Sequence, residues 1–170
     1  MAMKTLAQQM AFYQGYHRTW GCKATHYFGV PLVTFALLIP MGWLGAMTYG
    51  HHLTLAMLFV FSTLIYYFLL APLLATIMTA IMVPVTLGAD RISRLPLRES
   101  ALVFGTIFLA GVVLQLIGHF IEGKRPALVD NFMQAVFTAP LFLVAEALMA
   151  LGWKGPAPSA GDDQDFSTAS

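Results

Sequence analysis

The polar residues best placed to do chemistry cluster in the segment QLIGHFIEGKRPALVDN, which lies between two apolar stretches of the sequence. If the preceding helix continues through Glu122, then Gln115, His119 and Glu122 lie at positions i, i+4 and i+7, on one helical face. The imidazole and the carboxylate could then bind one metal ion. The segment also suits a polar helix end from which Lys124 and Arg125 reach lipid phosphates. The spacing alone leaves both interpretations open.

Two more histidines, His17 and His26, lie nine residues apart near the N-terminus. On one unbroken helix they would lie on opposite faces, so they could bind one ion only if the helix breaks between them. Gly21 and the approach to the segment FGVP offer places for such a break. Taken singly, each histidine is more typical of an interfacial residue than of a metal ligand.

The remaining ionisable residues are assigned less chemistry. His51 and His52 follow a glycine in a predicted short loop, and they receive no role. Asp130 and Asn131 are predicted to cap the last apolar helix rather than to act in catalysis. Glu146 lies inside an apolar stretch, where an unpaired charge is costly. It either hydrogen-bonds across a helical bundle or supplies a carboxylate to a polar cavity.

The composition indicates that lipid is the solvent for most of the chain. Of 170 residues, 58% are hydrophobic and only 10% are charged, and the mean hydropathy is +0.73. A soluble domain of this size needs more charge to cover its surface. The net charge of +1 offers no basic field for nucleic acid. A single cysteine, Cys22, excludes an intramolecular disulfide and a cysteine-based zinc site.

The elements that must position these residues are helices. The sequence predicts an all-α fold, a polytopic transmembrane helical bundle of about five hydrophobic helices with an N-terminal interfacial helix in residues 1–27. One helix through residues 53–87 would overshoot a ~30 Å hydrocarbon core, so two helices that meet at Pro72 are expected. Residues 1–154 are predicted to form a single membrane-embedded domain, and residues 155–170 are predicted to form a disordered acidic tail. The five apolar stretches are residues 28–47, 53–70, 72–87, 101–117 and 132–151.

Two segments together resemble the integral-membrane 2-hydroxy fatty acid dioxygenase family, which takes part in fatty-acid α-oxidation. They are YHRTWGCKATHYFGVPL and GHFIEGKRPALVDNFMQAVFTAPLFLVAE. The second contains the long and specific motif G-H-x-x-x-E-G-x-R-P-A-L, and the helices between the two segments also fit in length and order. Family members often carry asparagines between the first two histidines, where this chain has Thr19 and Cys22.

The resemblance implies an iron(II)-dependent oxygenase that uses O2 to shorten a 2-hydroxy fatty acid by one carbon. Matching the motifs makes His17, His26 and His119 the leading Fe2+ ligands. Glu122 matches the motif glutamate and is expected to act in catalysis, as a carboxylate ligand or as a partner of the ligands. The fourth ligand is left open between Glu122, Glu146 and water.

A shared iron site also constrains the topology. With five spans, the basic residues divide too evenly for the positive-inside rule to decide the orientation. Fusing residues 53–87 into one crossing gives four spans and a clear charge preference, but it separates His119 from His17 and His26. The shared site therefore favours five crossings, or an equivalent in which residues 53–87 return to their starting side.

The expected partners follow from the same resemblance. Lys124 or Arg125 would pair with the carboxylate of a long-chain 2-hydroxy fatty acid while its acyl chain stays in lipid or in a bundle groove. The protein is expected in the inner or plasma membrane of a bacterium, or in the endoplasmic reticulum of a eukaryote, and homo-oligomers are left open. The alternative is a non-catalytic small transporter, or a membrane protein that binds a lipid or an ion.

Overall fold

The computed structural model describes residues 19–48, 51–123 and 132–153, and within these ranges it contains five helices and one β-hairpin. The all-α helical bundle predicted from the sequence is confirmed. The helices are α1 (Trp20–Trp43), α2 (Leu55–Leu70), α3 (Pro72–Ser93), α4 (Leu97–Glu122) and α5 (Phe132–Ala150), and the strands are β1 (Gly45–Thr48) and β2 (His51–Thr54).

Helix α1 begins earlier than the sequence predicted. Thr19 is extended (φ −83°, ψ 144°), and its hydroxyl accepts a hydrogen bond from the Cys22 N–H at 3.3 Å. This cap starts a helix of 24 residues that continues through Pro31. Residues 20–27 are therefore the first turns of α1 and not part of a separate interfacial helix. Helix α1 has no break at Gly21 or near FGVP. Residues 1–18, including His17, are outside the described ranges.

A short hairpin replaces the end of the first apolar stretch. Leu44 is extended (φ −94°, ψ 97°), so α1 ends at Trp43. Strands β1 and β2 then pair antiparallel, with Gly45 opposite Thr54. This pairing satisfies backbone groups that would otherwise lose their hydrogen bonds where the helix stops. The prediction that His51 and His52 lie in a loop is wrong, because both residues belong to β2.

Helices α2 and α3 meet at Pro72, as predicted. Ala71 is extended (φ −158°, ψ 92°) because a proline disfavours helical backbone in the residue before it. Helix α3 continues to Ser93, beyond the predicted limit at residue 87. Near its end, Asp90 Oδ1 lies 3.9 Å from Nδ1 of His52, just before α2 begins. The two ends of this helix pair therefore lie at the same end of the bundle, as a shared histidine site requires. The number of membrane crossings stays a prediction.

Helix α4 continues through Glu122, so Gln115, His119 and Glu122 lie on one helical face. It ends because Gly123 adopts a left-handed conformation (φ 69°) and donates its N–H to the carbonyls of His119 and Phe120. Glycine takes this conformation without the steric cost that a Cβ atom would bring. The glycine of the motif thus fixes His119 and Glu122 in the last turn of α4.

Helices α1 and α4 form the most extensive contact in the bundle. A Cβ atom added at Gly111 would lie 3.0 Å from the Val33 nitrogen and 3.1 Å from the Gly29 carbonyl oxygen. Only a residue without a side chain fits there, so the backbones approach as closely as small residues permit.

The outer surface of the bundle is apolar. Phe120 is 89% exposed and Phe28 is 70% exposed. Among the described residues, α1, α3 and α4 are long and apolar enough to cross a membrane, whereas α2 has only 16 residues. Exposed apolar area of this extent is typical of a lipid-facing surface, so the protein associates with a membrane.

Replacing Gly111 with valine is expected to destabilise the α1–α4 contact, because the new side chain meets backbone atoms that cannot move away. Overpacking of this kind costs roughly 1–3 kcal/mol, so the melting temperature in detergent should fall by several degrees. Gly105→Val is the matched control, since a Cβ at Gly105 meets nothing within 4 Å. Equal melting temperatures for the two variants would contradict the assigned contact.

Candidate metal centre

Two helix ends bring three potential metal ligands together. Cys22 and His26 lie four residues apart, on one face of the first two turns of α1, and His119 lies in the last turn of α4. Their ligand atoms all lie within 4.8 Å of one another. All three side chains are buried. We call Cys22, His26 and His119 the donor group.

The backbone orients the His26 ring. Its Nδ1 lies 2.8 Å from the Cys22 carbonyl oxygen. A carbonyl only accepts hydrogen bonds, so Nδ1 donates, and in the neutral ring Nε2 then keeps the lone pair. Metal-binding histidines are commonly oriented in this way by a bond from their other nitrogen. The His119 ring lies edge-on to the His26 ring, with centroids 4.8 Å apart and an interplanar angle of 83°.

Gly118 makes room for this arrangement. A Cβ atom at Gly118 would lie 3.0 Å from both Cε1 and Nδ1 of His26, and it would overlap the Thr25 hydroxyl. The His26 ring therefore packs directly against the backbone of α4. Gly118 thus serves the donor group as well as the packing of the helices.

The chemistry of the donor group fits a transition-metal ion. Imidazole nitrogens suit iron, zinc, copper and nickel, whereas magnesium and calcium prefer oxygen ligands. A thiolate is a softer ligand that favours zinc, copper(I) or iron–sulfur centres. Two imidazoles and one thiol, all buried and within reach of one ion, are therefore suited to hold a metal in the α1–α4 contact.

Glu122 connects the ends of the two helices that carry the donor group. Its Oε2 accepts hydrogen bonds from the Thr19 N–H at 2.8 Å and from the Thr19 hydroxyl at 2.5 Å. A carboxylate at the start of α1 is also favoured by the helix dipole. Glu122 is not a member of the donor group, and its catalytic role stays a prediction.

Glu146 lies across the bundle, on α5, and forms an ion pair with Lys23 of α1. The Tyr27 hydroxyl also hydrogen-bonds to Glu146. The sequence predicted that Glu146 either hydrogen-bonds across the bundle or lines a polar cavity. In the structure it does both. Lys23, His26 and Glu146 line one small cavity beside the donor group.

A second charged cluster occupies the opposite end of the bundle. Asp90 accepts hydrogen bonds from Arg94 at 2.7 and 3.0 Å, and His52 lies beside it. The cluster joins the hairpin to α3. His52 lies at the end of the bundle opposite the donor group, so a change at His52 is a suitable control for changes at His26 and His119.

The outcomes for the predicted residues differ. The structure brings His26 and His119 together, but His17, Lys124 and Arg125 lie outside the described residues, so their roles stay predictions. Asp130 and Asn131 lie outside them too.

Sequence reasoning missed Cys22. A count of one cysteine excludes a site built from cysteines, but a mixed site needs only one thiol. The spacing of four residues between Cys22 and His26 was the available signal.

Comparisons with known proteins identify the family. The family described as 2-hydroxy-palmitic acid dioxygenase Mpo1-like matches residues 3–151 of the chain. The chain belongs to the Mpo1-like family. The resemblance read from the sequence motifs is thereby confirmed, and the match includes both helix ends that carry the donor group.

One curated relative of this Mpo1-like chain is the 2-hydroxy-palmitic acid dioxygenase MPO1 of Saccharomyces cerevisiae, which is 42% identical over 48 residues. The matched part covers 28% of this chain and 28% of the yeast protein. The similarity to that protein is therefore local. No solved structure matches the chain.

Variants of the donor group are expected to lose bound metal. In His26→Ala, His119→Ala and Cys22→Ser, the metal bound per protein, measured by mass spectrometry of the purified protein, should fall roughly tenfold or more, because each change removes a ligand atom. His52→Ala should retain the metal of the unmodified protein. If all four variants bind the same amount of metal, the donor group is not a metal site.

Proposed function

We propose that this protein is an iron(II)-dependent membrane dioxygenase that converts a 2-hydroxy fatty acid to a fatty acid one carbon shorter. The observation that carries the proposal is the convergence of buried His26 and His119 within the family's motifs. The reaction R–CH(OH)–COOH + O2 → R–COOH + CO2 + H2O balances without a further reductant. The name of the yeast relative supports a 2-hydroxy fatty acid as the substrate.

In this proposal the chain's own residues hold the metal and fix its surroundings. His26 and His119 bind iron(II) with their imidazoles, Cys22 contributes its sulfur, and His17 is the further ligand that the family motif supplies. Iron(II) held with open positions supplies the chemistry needed to activate dioxygen. Glu122 holds the start of α1 against the end of α4.

The membrane supplies the substrate. A long-chain acid resides in lipid with its carboxylate at the interface, and Lys124 and Arg125 remain the proposed residues that first meet that carboxylate there. The apolar outer surface of the bundle allows the acid to diffuse to the protein within the membrane. The convergence of two histidines favours this proposal over the transporter alternative, which gives no reason for their rings to meet.

The test uses full-length protein, purified anaerobically in detergent, loaded with iron(II) and supplied with 2-hydroxyhexadecanoic acid. Oxygen consumption and pentadecanoic acid should appear in equal amounts. His26→Ala and His119→Ala should reduce the rate by roughly 100-fold or more, which corresponds to about 2.7 kcal/mol in the activation barrier. His52→Ala should leave the rate unchanged.

Hexadecanoic acid, which lacks the hydroxyl group, is the substrate control and should not be consumed. Undiminished turnover in both histidine variants would refute the proposed site. Absence of oxygen consumption by iron-loaded, folded protein would refute the proposed reaction.

A further inference from the structure

Three cavities lie in a row along α1. The head cavity is the small one beside the donor group, and its lining includes Lys23, His26 and Glu146. The middle groove has a volume of about 230 Å³ and lies between α1, α3 and α5. The distal cavity has a volume of about 290 Å³ and is bounded mainly by α1 and α2. Jointly the two larger spaces fall within the ~300–1,000 Å³ typical of small-molecule sites.

The three cavities are neighbours because they share walls. Val30 and Leu143 line both the head cavity and the middle groove. Thr34, Met82 and Pro140 line both the middle groove and the distal cavity. A movement of these few side chains would join the cavities into one passage from the donor group into the bundle.

One face of α1 lines the whole row. Lys23, Val30, Thr34, Leu38 and Met41 recur at intervals of three, four or seven residues, and all of them line one of the three cavities. The stretch from the first to the last of them spans ~27 Å at about 1.5 Å per residue. Two acyl chains end to end fill a hydrocarbon core of ~30 Å, so one chain needs roughly half of that length. The row is long enough to hold one.

The polarity of the row changes from one end to the other. Charged residues line only the head cavity, whereas the walls of the middle groove and the distal cavity are almost entirely apolar. A matching ligand has one anionic end and one long apolar end. We propose that this row binds the 2-hydroxy fatty acid, with its carboxylate on the exposed side of Lys23, beside the head cavity of only about 10 Å³, and its acyl chain extending through the middle groove to the near end of the distal cavity. The inference deepens the proposed function and rests on it.

The charged side chains that line the head cavity allow Lys23 to bind a carboxylate. Lys23 is about one-third exposed and forms an ion pair with Glu146, whose side chain is only 14% exposed. Leaving either charge without a partner in this setting would be costly. The Lys23 ammonium has three N–H donors, so it can bind a substrate carboxylate while it keeps its ion pair with Glu146, which also accepts a hydrogen bond from Tyr27. Both charges therefore have a partner before and after binding.

The middle groove also offers a way in from lipid. Pro31 and Ile81 line the groove and are exposed on the outer surface of the bundle. An acyl chain can therefore pass between α1 and α3 without leaving an apolar environment, while its carboxylate stays at the end where Lys23 lies.

Photocrosslinking tests the position of the chain without requiring turnover. The probe is 2-hydroxyhexadecanoic acid with a diazirine at its terminal carbon, applied to metal-free full-length protein in detergent. Adducts are expected on residues at the near end of the distal cavity, such as Thr34, Leu37 and Met82, because a chain held at Lys23 ends about half-way along the row. Adducts confined to exposed residues such as Phe61 and Phe120 would overturn the proposal.

Obstruction of the row tests its selectivity for chain length. Thr34→Trp and, independently, Met82→Trp should weaken binding of 2-hydroxyhexadecanoic acid roughly tenfold, because both residues stand between the middle groove and the distal cavity. Binding of 2-hydroxyoctanoic acid should change less than twofold. Phe61→Trp, on the exposed face of α2, is the matched control. Equal weakening for both acids in both variants would contradict the assignment.

The carboxylate partner is tested separately. The double variant Lys23→Met/Glu146→Gln removes both charges together and so avoids an unpaired buried charge. It should weaken binding of 2-hydroxyhexadecanoic acid at least tenfold and leave binding of hexadecane-1,2-diol unchanged. If this variant binds the acid normally, but the double variant Lys124→Met/Arg125→Met does not bind it, then Lys23 is not the partner of the carboxylate.

The inference and the proposed function fail in different ways. Distal adducts without oxygen consumption in the iron-loaded protein would refute the reaction but not the binding row. Turnover accompanied by adducts only on lipid-facing residues would refute the row but not the reaction.

Discussion

The backbones of α1 and α4 come close together because glycines stand where the two helices cross. Gly29 and Gly111 face each other near the middle of the contact, and Gly118 faces the ring of His26. A Cβ atom at Gly29 or Gly111 would lie 3.0–3.1 Å from backbone atoms of the facing helix, closer than an ordinary van der Waals contact. Helix α1 would then have to move outward, and the ligand atoms of the two helices would separate. The hydrogen bonds from Thr19 to Glu122 hold the same helices together at the end where the donor group lies.

The same contact explains why the polar residues are concentrated at one end of the bundle. In lipid, a buried polar group must find a partner within the protein, since no water is available to replace it. The donor group, the Thr19–Glu122 bonds and the Lys23–Glu146 pair all lie near the start of α1, where each provides part of the polar environment of the others. The rest of that α1 face can then remain apolar, which suits it to a long acyl chain.

Local sequence signals predicted the elements that depend on local chemistry. Pro72 divides one apolar stretch into two helices, a boundary that followed from backbone preferences. The end of α4 at Gly123 was not predicted, although a glycine just after the motif glutamate was the available signal. The hairpin did not follow, because its strands continue an apolar run that reads equally well as helix. The partnership of Lys23 with Glu146 could not be predicted either, since 123 residues separate them in the sequence. The motif histidines indicated the site, whereas only the fold could reveal that Cys22 lies beside them.

X-ray absorption spectroscopy at the iron edge, on anaerobically purified protein loaded with iron(II), tests the central claim most directly. If donors from α1 and α4 share one ion, the spectrum contains imidazole scattering and one sulfur neighbour. The sulfur contribution then disappears in Cys22→Ser, and the imidazole contribution falls in His119→Ala. A spectrum that is the same in the unmodified protein and in both variants would contradict the account, because the iron would then be bound somewhere else.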